Sequence, residues 1–254
     1  MTTTPRRRVT PAPWVASVAW VVTVGMTASG GVGHDPGRIS GPSTGDAFSA
    51  RVAVPVLLVP GWFDSARDLA ALRIHLIGAG WPDAHVGTLT FEEPTGSNRD
   101  HAAELEGAVA RLRAASGADS VDIVAHSMGG LAVRWYLLTR SAAPVRRAVF
   151  IASPHRGTLS AHLAWGGGRD EMMPDSPFLD TLNARAPVPS GVDAITVRTV
   201  IDTHVVPGES ATLPGVPDYT LCCPTHPGLL QDRDVLEIVR SFLELGVVAR
   251  EPTR

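Results

Sequence analysis

Lysine is missing altogether. The 22 basic residues among the 254 are all arginine, a bias that says more about coding than about chemistry. Charge is sparse, at 19% of residues with a formal net of −3, which argues against a nucleic-acid partner. The two cysteines, Cys222 and Cys223, are adjacent, so the chain has neither a disulfide framework nor the ligand spacing of a zinc site. No apolar run approaches the roughly 18 residues that mark a bilayer-spanning helix. What is present is 44% hydrophobic residues, enough to offset chain entropy around one substantial core, and the length suggests one domain.

The first thirty residues are of another kind. Arg6, Arg7 and Arg8 precede an apolar stretch from Trp14 to Met26, followed by Thr27, Ala28, Ser29 and Gly30. That order of charge, apolar core and small residues is the pattern of a secretory signal, and the arginines also raise a twin-arginine route. Residues 1–30 are therefore expected to be a signal peptide, an uncleaved anchor being disfavoured by the short core. The mature chain would carry 19 basic and 25 acidic residues, a net of −6, outside the cell. Residues 31–50, rich in Gly, Pro, Ser and Asp, read as a flexible linker, and the folded domain is expected over 51–254.

Beyond the linker, short apolar runs alternate with helical periodicity. Strands are predicted at Val54–Val59, Val86–Phe91, Val121–Ala125, Val145–Ala152, Ile195–Ile201 and Tyr219–Cys222. Helices are predicted at Ser65–Ile77, after a Ser97 cap through Leu112, at Val133–Leu138, and around Val235–Leu243. Roughly 153–191 reads as irregular. Such alternation implies a mostly parallel central sheet with helices on both faces, an α/β class.

In open sheets of this class, sites form beyond the carboxyl ends of the strands. After Val121–Ala125 comes His126-Ser127-Met128-Gly129-Gly130. A serine on a sharp strand-to-helix turn has its hydroxyl lifted clear, provided that the residues two before and two after are tiny. Ala125 and Gly129 meet that demand. A serine hydroxyl needs a base to take its proton and an acid to orient the base, in chain order Ser, acid, His for this fold. Asp202 closes the Ile195–Ile201 run, and His226 follows the last strand, before the C-terminal helix. Asp193 and Asp218 compete as acids, and His204, His155 and His126 as bases, with His155 expected to shape its loop and His126 to pack. Developing negative charge on the substrate oxygen needs two N–H donors. Met128 follows the nucleophile and Trp62 follows Pro60-Gly61 after the first strand, with Phe63 the next candidate.

These residues together resemble the small bacterial triacylglycerol lipases of the α/β-hydrolase fold, over about Val54 to Leu245. The resemblance rests on Ala125-His126-Ser127-Met128-Gly129, similar to the variant elbow of small, lidless secreted lipases, and on Val121-Asp122-Ile123-Val124 before it. It also rests on Ser153-Pro154-His155-Arg156-Gly157-Thr158, on Met173 to Leu179, on Asp202-Thr203-His204-Val205-Val206-Pro207, and on His226-Pro227-Gly228-Leu229-Leu230. It implies Ser127 as nucleophile, Asp202 as orienting acid, His226 as base, and Trp62 with Met128 as oxyanion donors. The family commonly has His-Gly at the oxyanion turn, where this chain has Pro60-Gly61.

The reading is of a secreted serine hydrolase of carboxylic esters, working through an acyl-enzyme without metal or organic cofactor. Trp62 and Phe63 at the rim favour a small-molecule or lipid ester of an apolar acid, with transient contact at a lipid interface and a monomeric chain. An extracellular acyltransferase with the same triad is the rival, and a non-catalytic binding protein of the same fold the distant third. Residues 153–191 hold either a short flap, with Met172, Met173 and Phe178 as its apolar face, or simply core. Cys222 and Cys223 are expected as free, partly buried thiols, with a bond between neighbours as the alternative.

Overall fold

In the computed structural model, residues 54–140 and 142–248 are described. The expected signal peptide and linker lie outside them. Six strands form one parallel sheet in the order β2-β1-β3-β4-β5-β6: β1 Val56–Val59, β2 Val86–Thr88, β3 Val121–His126, β4 Val145–Ile151, β5 Asp193–Thr199 and β6 Asp218–Leu221. The four main helices are α1 Ala70–Gly78, α2 Asn98–Ser116, α3 Gly129–Thr139 and α6 Arg233–Leu245.

The period of two along each strand divides the core. Val56 and Leu58 face the layer of Leu72 and Leu76 from α1 and Val235, Val239 and Phe242 from α6. Leu57 and Val59 face the layer of Leu105, Val109 and Leu112 from α2 and Val133 and Leu137 from α3. Each fully buried side chain of this size contributes about 1.5–3 kcal/mol, so both faces are held by apolar burial and helices cover both, as the alternation implies.

Element boundaries moved where side chains compete with the backbone. The first helix begins at Ala70 rather than Ser65 because Asp68 accepts hydrogen bonds from both the amide and the hydroxyl of Ser65, a local turn that pre-empts helix there. Ser97 caps α2 as expected, accepting from the Arg99 amide, and Gly117 ends it in the left-handed region at φ 69. The stretch read as irregular contains α4 Gly167–Met172 and α5 Pro177–Asn183. Helix α5 starts with Ser176 as cap and Pro177 in its first turn, a signal that is legible in the sequence. Met172 and Phe178 are buried with Met128, Leu131, Leu179 and Leu182, so of the two readings of this segment these side chains support core. Cys222 and Cys223 are exposed and joined by a disulfide, which corrects the expectation of free, partly buried thiols. His226 is followed by a 3-10 turn, Pro227–Leu230, before α6 begins, so the base candidate does not abut that helix as expected.

Candidate active site

The strand order sets the location. The chain leaves β1 to form β2 on one side and returns to form β3 on the other, so a crevice opens between the carboxyl ends of β1 and β3. Pro60 to Asp64 leave β1 there, and His126 to Met128 leave β3.

Ser127 sits in this turn at φ 50, a left-handed conformation unfavourable for a side-chain-bearing residue and tolerated where the surroundings over-determine it. The surroundings do so by close approach. A methyl group on Gly129 would lie 2.2 Å from the Pro60 carbonyl oxygen, and one on Gly61 would lie 2.8 Å from the Ser127 Cβ. Ala125 is fully buried and is the largest residue of the three small positions. Ser127 is thereby pressed against the turn that follows β1.

A cavity of about 410 Å³ opens over this turn, lined among others by Trp62, Phe63, Asp64, His126, Ser127, His204 and His226. His226 Nδ1 lies 2.8 Å from Asp202 Oδ2, which leaves Nε2 as the ring nitrogen that Asp202 does not engage, and His226 lines the same cavity as Ser127. Asp202 also accepts the amides of His204 and Val205, each at 2.8 Å. Burial alone would raise the Asp202 carboxyl, but the bond and charge of His226 and these two amides outweigh it and hold it below the ordinary carboxylate range. Burial pushes His226 below the usual imidazole value; the bond to Asp202 opposes this, while the nearby His126 and His204 add to it. The resulting group is a neutral imidazole, oriented by a carboxylate, at neutral pH.

The structure thus brings Ser127, His226 and Asp202 into one site and separates the competitors. Asp193 starts β5 at the opposite end of the sheet, near Arg147. Asp218 is engaged by Arg198 and Thr196. His155 is fully buried and lines a different cavity. His204 is exposed and stacks on the His226 ring at 4.7 Å. Asp202, His204 and His226 present ligand atoms within 4.8 Å of one another, the one such group among the described residues, although the Asp202 oxygens are already taken by N–H donors.

Of the oxyanion candidates, Trp62 lines the cavity and Met128 does not. The Met128 side chain is buried in the apolar cluster beneath it, so only its backbone, at the start of α3, is available for the role. The Phe63 amide donates to the Pro94 carbonyl at 3.1 Å, which removes the second-choice donor. Phe63 itself is at φ 61 and 65% exposed, standing at the rim with Trp62 and Trp165 in edge contact.

A family model described as the alpha/beta hydrolase fold matches residues 54–191. The chain belongs to the alpha/beta hydrolase family. Among solved structures it is similar to lipase B of Aspergillus fumigatus, at 20% identity and TM-score 0.66 over 78% of this chain and 54% of that one. It is similar to the mature lipase BlEst2 of Bacillus licheniformis, at 14% identity and TM-score 0.62 over 77% and 92%. Phospholipase PlaB of Legionella pneumophila matches at 13% identity and TM-score 0.63 over 77% and 58%. The chain thus spans about half the length of the fungal lipase.

In this alpha/beta hydrolase, sequence reasoning missed Asp64 and Trp165. Asp64 Oδ2 lies 3.0 Å from His126 Nδ1 and accepts the Gly61 amide at 3.3 Å, joining the turn after β1 to the residue before Ser127. Burial opposes its charge, but His126, Gly61 and the field of His226 hold its carboxyl below the usual range. The spacing Gly61-x-x-Asp64 is that of a turn closed by an acid on a backbone amide, the signal that could have found it. Trp165 accepts the Trp62 indole N–H on its carbonyl at 3.1 Å, a contact across 103 residues that no local pattern encodes.

Proposed function

We propose that the chain is a secreted serine hydrolase of carboxylic esters, a lipase or esterase. The observation that carries this reading is Ser127, held at φ 50 on the turn after β3, sharing one cavity with a His226 whose Nδ1 is fixed by Asp202 at 2.8 Å. Ser127 Oγ attacks the ester carbonyl while His226 Nε2 takes its proton. The negative oxygen forms against the amides of Trp62 and Met128. His226 then protonates the departing alcohol, and water, deprotonated by the same ring, releases the acid. No step calls for a metal or an organic cofactor.

The exposed Phe63, Leu163 and Trp165 at the mouth, 65%, 87% and 55% accessible, support an apolar acyl group and transient contact with a lipid interface. Residues 1–30 are read as the export signal, and the N-terminal residue of the secreted protein, expected near Gly31, tests that reading. The chain acts as a monomer in this proposal, checked by sedimentation.

The function is tested by hydrolysis of p-nitrophenyl esters with acyl chains from two to sixteen carbons. Ser127→Ala and His226→Ala are each expected to lower kcat by several orders of magnitude, as removal of a triad member does. A near-wild-type rate in His226→Ala would move the base elsewhere. A long-chain optimum identifies a lipase, a short-chain optimum an esterase, and ester exchange to an added alcohol in preference to water an acyltransferase. A folded protein inert toward every chain length would overturn the hydrolase reading.

A further inference from the structure

Beyond the site above, the residue after Pro154 faces a different space. Pro154 lines the cavity over Ser127, whereas His155 lines a second cavity of about 320 Å³ together with Arg134, Arg156, Arg185, Leu213 and Pro214. Three guanidinium groups and no carboxylate line it.

Two of its groups are buried and unsatisfied in complementary ways. Arg134, 3% exposed, donates to the Pro187 and Leu182 carbonyls and to Asn183 Oδ1 at 3.0–3.2 Å. All three acceptors are neutral, and among the described residues no carboxylate forms an ion pair with it. A buried charge without a counter-ion is expensive, and burial accordingly pushes Arg134 down to about 10. A guanidinium has five N–H donors, so two remain after these bonds. His155 is completely buried, and neither ring nitrogen has a hydrogen-bond partner among the described residues. Burial, then the charges of Arg134 and Arg156, keep its ring neutral, so it brings one N–H donor with nothing to accept it. Arg156 donates to the Glu209 backbone carbonyl and to the Thr212 hydroxyl from an exposed position, and the exposed Arg185 forms no hydrogen bond among the described residues.

We propose that this second cavity binds a carboxylate with a small apolar body. The carboxylate supplies the missing counter-ion: its two oxygens match the planar donors of a guanidinium, and its charge lies beside the neutral His155 ring. Leu213 and Pro214 accept the apolar body, which water or an inorganic anion would leave unpaired. The site is independent of the ester chemistry proposed above, and binding there requires no turnover.

The experiment is a calorimetric titration of the secreted protein with hexanoate, hexanol and inorganic phosphate at constant ionic strength, paired with imidazole 15N spectra. Hexanoate is expected to bind saturably and to shift the His155 ring signals while those of His226 stay in place. Arg156→Gln with Arg185→Gln should weaken hexanoate at least tenfold. Arg185→Gln alone, which breaks no hydrogen bond among the described residues, should weaken it several-fold and keeps the test open if the double variant fails to fold. Hexanol should show no saturable binding. Phosphate binding as tightly as hexanoate would overturn the assignment to carboxylates with an apolar body. Hexanoate that shifts only His226, or is indifferent to both variants, would place it in the Ser127 cavity and overturn the site, as would absence of binding. Loss of ester hydrolysis in any preparation leaves these readouts unaffected.

Discussion

At the scale of single residues, the proposed chemistry depends on how His226 is charged. Its neighbours are Asp202 on one side, His204 stacked on it at 4.7 Å, and His126, with its partner Asp64, at 4.7 Å on the other. Burial and the two imidazoles outweigh Asp202 and lower its pKa. The proposed base works only when neutral, so the proposed activity rises with pH as the ring loses its proton. The acid limb of kcat/KM is therefore expected to have its midpoint below about 6.5, the ordinary imidazole value, in a profile measured with a soluble short-chain ester. A midpoint above that value would contradict the burial argument. Asp64 offers a second test at this scale. Asp64→Asn keeps the shape but removes the charge that ties Gly61 and His126 together. Loss of one charge-assisted bond of this kind amounts to about 1.5 kcal/mol, so kcat should fall about tenfold while KM stays near wild type, since the turn carries the Trp62 amide and not the acyl group. An unchanged kcat would show the pair to be idle.

At the scale of elements, the turn of the candidate site is a crossing of two backbones. Residue 129 opens α3 directly over the end of β1, and a Cβ there would meet the Pro60 carbonyl at 2.2 Å. Backbone cannot yield as a flexible side chain can, so Gly129→Ala is expected to cost about 2–3 kcal/mol and to lower Tm by about 5–10 °C, with ester hydrolysis lost as well. Gly78, at the end of α1, has nothing within 4 Å of its Cβ position. The same substitution there should leave Tm unchanged or raise it slightly. Equal Tm values for the two variants, by scanning calorimetry, would show that the close approach does not constrain the elbow. The same reasoning explains which elements were legible. Ser97 caps α2 by chemistry that acts within one turn, so its start is readable, whereas the apolar period read only to Leu112 and the helix runs on to its Gly117 cap. The onset of α1 was not legible, because Asp68 competes for the amide of Ser65. Periodicity did not mark α4 or α5, whose few residues carry too short a period to distinguish helix from loop; the cap at Ser176-Pro177 is the one local signal of α5, and the burial of both helices comes from contact with Met128 and Leu131.

At the scale of the whole molecule, stability and pH are linked through buried histidine. His155 is held neutral in the fold, well below its ordinary value, by burial first and then by Arg134 and Arg156. In the unfolded chain it takes a proton below about 6.5, so the unfolded state binds more protons and stability falls as pH drops through that point. His226 contributes with the same sign. The urea midpoint is expected to decrease from pH 7 to pH 5, and His155→Gln should make the decrease shallower, leaving the part due to His226. A variant with the wild-type slope would show that His155 is not neutral in the fold.

The sequence by itself determined the class and pointed to the residues that the structure gathers into the candidate site. Apolar runs of strand length alternating with helical periodicity demand a covered parallel sheet, because each is a local pattern whose burial has one solution. Small residues around Ser127 announce a sharp turn for the same local reason. Asp202 and His226 were readable because the strand ends are, and sites form there. Tertiary structure alone decided what depends on distance across the chain. Asp64 joined to His126, Trp165 against Trp62, the core role of Met172 and Phe178, and the cavity around His155 each bring together residues far apart in sequence. No periodicity or motif specifies these pairings; they follow from which faces remain to be filled once sheet and helices have packed.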